Sequence, residues 1–145
     1  MSVASNLAGK AISISKTTVP HATSYPFTSL FNISHGHAVS LFFEKFFKFN
    51  FENLNKSATS FDLNKRFDLI FNLFDVSNIN EFSSKISLLK KQANLEDDLL
   101  KLNIDIRKSS DNIIKGINLL RLGNNPVNID SKDIYKIMME TKLRN

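Results

Sequence analysis

Three observations predict an all-α fold. Apolar residues recur three or four positions apart in one segment after another, which is helical spacing. No run alternates convincingly at period two, and no Asn-Gly or Asp-Gly hairpin turn occurs. Polar residues that cap helix N-termini stand in front of several periodic segments. Together these give an irregular bundle of about six to eight short helices, with no internal repeat or low-complexity stretch.

Residues 2 to about 15 carry Val3, Leu7, Ala11 and Ile14 at helical spacing. Gly9 lowers helix propensity there but leaves room for another helix to approach. Pro20 suits a first helical turn, so a second helix is expected from Pro20-His21 to about Leu30, kinked or restarted at Pro26. Asn32 tolerates the left-handed conformation that ends helices, and Ser34 can cap the next one. That helix is expected over 35–49, with Leu41, Phe42, Phe43, Phe46, Phe47 and Phe49 covering most of its circumference, as in a buried core helix. Glu44, Lys45 and Lys48 mark its wet edge.

Residues 50–60 read as a loop. Thr59 with Asp62 resembles a capping box, before a helix that turns Phe61, Phe67, Ile70, Phe71 and Phe74 inward. Asn78 with Glu81 opens another, with Ile79, Phe82, Ile86 and Leu89 on one face. A short helix is expected from Leu95 to Leu102, its N-terminus favoured by Glu96, Asp97 and Asp98. Ser109 or Ser110 starts the next, with Ile113, Ile114, Ile117 and Leu120 inward and Gly123 as its stop. Asp130 caps the last helix, where Ile134, Ile137 and Met138 pack.

Bulk properties narrow the function classes. At 145 residues the chain is one domain by length, and an apolar fraction of 42% allows a sizeable core. No apolar run reaches the ~18 residues of a membrane span. The absence of Cys excludes a disulfide framework and fits a reducing compartment, and no secretory leader is evident, so a cytoplasmic protein is expected. The net charge of +5 comes from scattered Lys and Arg, whereas a nucleic-acid surface concentrates charge on one face. No nucleic-acid or membrane partner is expected. The four glycines, Gly9, Gly36, Gly116 and Gly123, form no phosphate-cradling loop, and no parallel-strand pattern builds a dinucleotide fold.

The chemistry concentrates between Lys16 and Asn50, which holds all three histidines: His21, His35 and His37. On one straight helix His21 and His35 would lie about 21 Å apart, too far for a shared ion. A turn at Phe31–Ser34 could bring them together. His37 lies roughly 200° round a helix from His35, so those two do not share a metal from helical positions. By spacing alone two histidines are a weak metal signal, because closed zinc sites have four ligands and catalytic ones usually three. Satisfied or exposed histidines are the alternative.

The segment GKAISISKTTVPHATSYPFTSLFNISHGHAVSL resembles the metal-binding segment of the iron-containing alcohol dehydrogenase family. There, a His in a His-Ala pair at a helix start and a second His fourteen residues later, before Gly, hold one Fe(II) or Zn(II). The matching positions here are His21, before Ala22, and His35, before Gly36. A second, weaker similarity lies in Ile117–Pro126, and the resemblance runs from about Ser2 to Leu143. Departures are Asn32 and Ser34 where the family has Gly and Pro, Val127 where it has Arg, and Tyr25 where most members carry another His. The His21-Ala-x-Ser-Tyr-Pro variant resembles a subgroup linked to phosphonoacetaldehyde reduction.

The resemblance implies the helical C-terminal domain of dehydroquinate synthase-like and iron-containing alcohol dehydrogenases, over residues 1–145. It implies NAD(P)-linked reduction of an aldehyde or oxidation of an alcohol. His21 and His35 would be half the metal ligands, and Tyr25 or His37 would line the substrate pocket or relay a proton. Lys16 is either a helix-end lysine or a contact for an anionic substrate group. The family's nucleotide-binding domain, which precedes this one and brings NAD(P) and the remaining Asp and His ligands, has no counterpart here. The expectation is therefore a fragment, inactive alone, partnered by a second copy or by a separate nucleotide-domain chain. The competing expectation is a non-catalytic helical remnant or interaction module.

Overall fold

A computed structural model describes residues 2–57 and 59–140. The elements are α1 (Ser2–Ser15), α2 (Val19–Phe31), α3 (His35–Ser40), α4 (Phe43–Glu52), a 3-10 turn (Leu54–Lys56), α5 (Leu63–Phe74), α6 (Ile79–Gln92), α7 (Ile106–Lys115), α8 (Leu119–Leu122) and α9 (Ser131–Met139). Among the described residues there is no strand, only an isolated bridge between Ser57 and Val127. The all-α expectation holds.

α4 is the spine. Phe42, just before it, and Phe46 are buried in one cluster with Val19, Ala22 and Phe27 of α2, Ile106 and Ile113 of α7, and Ile134, Ile137 and Met138 of α9. Phe43, Phe47 and Phe51, on its neighbouring face, pack on a second cluster built from Phe67, Phe71, Ile79 and Phe82 of α5 and α6. An amphipathic helix covers one face only. One with aromatic residues at i, i+1, i+4 and i+5 covers two, which is why α4 divides the core.

Several boundaries differ from the sequence reading. The helix expected over 35–49 breaks at Leu41-Phe42, so α3 and α4 are separate and the buried Phe42 sits at the corner. The helix expected from Leu95 to Leu102 is instead irregular over 95–98 and a run of turns over 99–103. There the Glu96 carboxylate accepts the N–H groups of Asp97 and Asp98 and pairs with Lys101, which competes with a helical ladder. Asp105 rather than Ser109 or Ser110 caps α7, accepting from the Arg107 N–H, and the helix ends at Lys115, well before Gly123. Asn118 then caps the short α8, and Leu120 points outward, 87% exposed. Leu89 and Phe61 are exposed as well. Asp62, not Thr59, caps α5, whereas Asn78 and Asp130 cap α6 and α9 as expected.

Two expectations fail on packing. α1 buries no residue, and nothing lies within 4 Å of where a Cβ on Gly9 would stand, so no helix uses that gap among the described residues. Glu44 is not on a wet edge: its carboxylate is 3.0 Å from the buried Lys90 ammonium, which also meets Asp97 at 3.1 Å. That network ties α4, α6 and the 93–105 segment together.

α2 runs unbroken through Pro26, which lacks the N–H that a helix interior uses. Just upstream, the Thr23 hydroxyl donates to the Val19 and Pro20 carbonyls, and Ser24 donates to the His21 carbonyl. α7 then approaches α2 closely at this proline. A Cβ on Gly116 would stand 2.9 Å from the Pro26 Cβ, so the crossing requires a glycine there.

A candidate metal centre at the α2–α3 corner

The corner is made by Asn32. It adopts the left-handed conformation at φ 54° and ψ 33°, and its N–H bonds to the Thr28 carbonyl, ending α2. The chain reverses within three residues, and Ser34 precedes α3 without a side-chain cap bond. His21, in the first turn of α2, and His35, the first residue of α3, are thereby brought side by side. Their ring centroids are 5.4 Å apart, with planes inclined at 59°.

This separation fits a shared ion. A metal ~2.0–2.1 Å from one nitrogen of each ring, at a near-tetrahedral angle, places the ring centres about 5 Å apart. Protonation states fit too. Ser24 is fully buried and has one hydroxyl hydrogen, which it donates to the His21 carbonyl at 2.8 Å. Toward His35 Nδ1, 3.2 Å away, Ser24 Oγ can then only accept. In that arrangement Nδ1 carries the proton and Nε2 keeps its lone pair. For His21, burial first, then His35 and Arg121, push the pKa below the ordinary histidine value, which favours the neutral, ligating imidazole.

The donor set is partial. Among the described residues no group of three or more His, Cys, Asp or Glu side chains could hold an ion. Two imidazoles fit as two ligands, not as a complete shell.

Tyr25 lies one turn after His21, and its ring is 5.6 Å from that of His35. Arg121 of α8 sits 5.1 Å from the Tyr25 ring centroid and donates to the Thr17 hydroxyl, while Asn124 donates to the Thr17 carbonyl at 3.2 Å. The segment before α2 is thus clasped by α8 and the turn behind it. His37 is engaged elsewhere: its Nε2 is 2.6 Å from the Glu96 carbonyl and pins the 93–105 segment to α3. Lys16 follows the last turn of α1 in a left-handed conformation at φ 62°.

Sequence reasoning missed Ser24, Arg121 and Thr17. Ser24 was within reach, since it lies three positions after His21, on the same helical face. Arg121 had no signal, because its role depends on α8 packing across a hundred residues of chain.

The α2–α3 corner thus sets two imidazoles side by side, with a buried hydroxyl against one of them. The chain matches, over residues 1–141, the model of the C-terminal region of the Fe-containing alcohol dehydrogenase family. It belongs to that family. Searches of curated proteins and of solved structures gave no match. Among the described residues, no helix is long and apolar enough to cross a membrane.

Proposed function

We propose that this chain supplies the metal-binding half of a metal-dependent, NAD(P)-linked alcohol dehydrogenase or aldehyde reductase acting in a reducing, cytoplasmic setting. The 5.4 Å approach of His21 and His35 carries this reading. A bound Fe(II) or Zn(II) supplies Lewis acidity toward the oxygen of the alcohol or aldehyde. The chain's own residues do the rest. Ser24 fixes the His35 tautomer and ring orientation. Tyr25, exposed beside His35, is the group placed to hydrogen-bond the substrate oxygen or pass it a proton. Arg121 holds the Tyr25 ring in place. His37, with its Nε2 engaged by a backbone carbonyl, is assigned to positioning α3 rather than to proton relay. The remaining ligands and the NAD(P) site belong to a nucleotide-binding domain outside these residues.

The test is anaerobic titration of histidine-labelled chain with Zn(II) or Fe(II), read by nitrogen NMR. Shifts at His21 and His35 together, at Nε2 for His35, with His37 unmoved and the ion only weakly held, support the reading. A response from His37 or from a single ring would overturn the site. One tightly held ion per chain would overturn the half-set assignment, and NAD(P)H turnover by the chain alone would overturn the division of labour.

A second reading, a non-catalytic interaction module, draws on α1. Val3, Leu7 and Ile14 form an exposed stripe along a helix with no buried residue. Self-association lost in Leu7→Lys but kept in a His21/His35 double variant that binds no metal favours that module.

A further inference from the structure

We propose that the cleft between the α1–α2 junction, the 56–66 segment and the 122–133 segment is a binding site for a small organic phosphate with an apolar body. The cleft has a volume of about 970 Å³, the size of pockets that take cofactor-scale ligands. It is lined by neither His21, Tyr25, His35 nor Arg121, so it is separate from the metal corner.

Charge is the first argument. Lys16 of the α1–α2 junction and Lys56 and Arg66, at the two ends of the 56–66 segment, line this volume. Among the described residues, none of the three has a carboxylate within ion-pairing distance. Two carboxylates also line the cleft, but the α9 capping box engages them. Asp130 accepts the N–H groups of Lys132 and Asp133 at 2.8 and 2.9 Å, and Asp133 accepts the Asp130 N–H at 3.3 Å. The capping-box bonds do not cancel the two carboxylate charges, so the lining is net positive by one, and the three cations, none of them ion-paired among the described residues, are the groups that would meet a phosphate.

Shape and strain are the second. Phe61 stands at the cleft with the Arg66 guanidinium 5.4 Å over its ring, a flat apolar surface next to a cation. Leu63, Leu122 and Ile129 extend that apolar surface. The walls are tied: the Asn128 N–H reaches the Lys56 carbonyl at 3.4 Å beside the Ser57–Val127 bridge. Lys16 takes the left-handed position that ends α1, where glycine is the favoured residue. A lysine held there at a conformational cost is more useful for its charge than for its backbone.

The test titrates isotope-labelled chain with 1-naphthyl phosphate at several NaCl concentrations. Saturable amide shifts at Lys16, Phe61, Gly123 and Asn128, weakening steeply with salt, are expected. Inorganic phosphate should bind the same amides more weakly, and 1-naphthol should leave them unmoved. Lys16→Gly should weaken binding by about tenfold or more while melting no lower than the parent, because glycine relieves the left-handed strain. Arg66→Gln should weaken it as well. Absence of saturable shifts at these amides, equal affinity in both variants and the parent, or tighter binding of an oligonucleotide at the same amides would overturn the proposal.

Discussion

The two faces of α4 make the most instructive comparison in the molecule. On one side, Phe47 stacks on Phe82 at 4.2 Å, Phe74 meets Phe82 edge-on at 5.1 Å, and Phe51 meets Phe67 at 5.2 Å. Rings dominate this side, with Ile79 and other aliphatic residues filling in around them. On the other side, Thr17, Thr23 and Ser24 are buried among the apolar residues, and Asn50 and Asn125 exchange hydrogen bonds between α4 and the turn after α8. A cluster of rings needs only its volume filled, and its energy comes from area and ring contacts. A core threaded with hydroxyls and amides must satisfy each of them, which costs more but fixes orientation. The phenylalanine side stabilises the domain; the histidine side aims groups.

The largest effect should come from Phe82→Ala. Phe82 is almost wholly buried and meets the rings of Phe43, Phe47, Phe71 and Phe74. Its loss should cost about 3–5 kcal/mol in denaturant unfolding. If the two sides are separable, metal-induced shifts at His21 and His35 should persist in whatever fraction stays folded. Loss of those shifts in folded protein breaks the comparison. Next is Gly116→Ala on the histidine side. The added methyl has no room against Pro26, so a cost of about 1–3 kcal/mol is expected in the same assay. Unchanged stability there would show that α7 can shift away from α2 freely.

The same contrast explains what could be read before the structure. The aromatic run from Leu41 to Phe51 announced a core helix, because hydrophobic periodicity reports burial directly. The Asn32 corner and the approach of His21 to His35 were legible because a turn residue stood between two helical segments. Phe42 as a corner was not legible, since an apolar run does not record where its helix breaks. Lys90 was half-visible: it lies four residues after Ile86 on the apolar stripe of α6, but only the distant Glu44 explains a buried ammonium there. Ser24 and Arg121 stayed hidden because their partners are orientations rather than spacings. What covers α1 was unreadable for a related reason. Val3, Leu7 and Ile14 state that a face is apolar and not what covers it.

Ser24→Ala sharpens the comparison without unfolding anything. It removes the acceptor that holds the proton on His35 Nδ1, so both tautomers become accessible. Zn(II) affinity at the corner should fall about 10–100-fold, with the melting temperature little changed. Equal affinity in parent and variant would show that the ring is oriented by packing alone.

The smallest effect is the most diagnostic of a polar core built around the His21 ring. Burial, His35 and Arg121 hold the His21 pKa below the ordinary histidine value of about 6.5. In the unfolded chain this imidazole takes up a proton near pH 6.5, while in the folded corner it resists doing so until the pH is lower. The unfolded state therefore binds more protons in that window. Stability is fully present above about pH 6.5 and declines as the pH falls toward the lower, folded value. His21→Gln should flatten that decline, whereas Phe82→Ala should lower the whole curve and leave its slope unchanged. Melting curves at pH 7.5 and 5.5 for the parent and the two variants measure this, and an equal slope in His21→Gln would place the pH sensitivity outside the histidine corner.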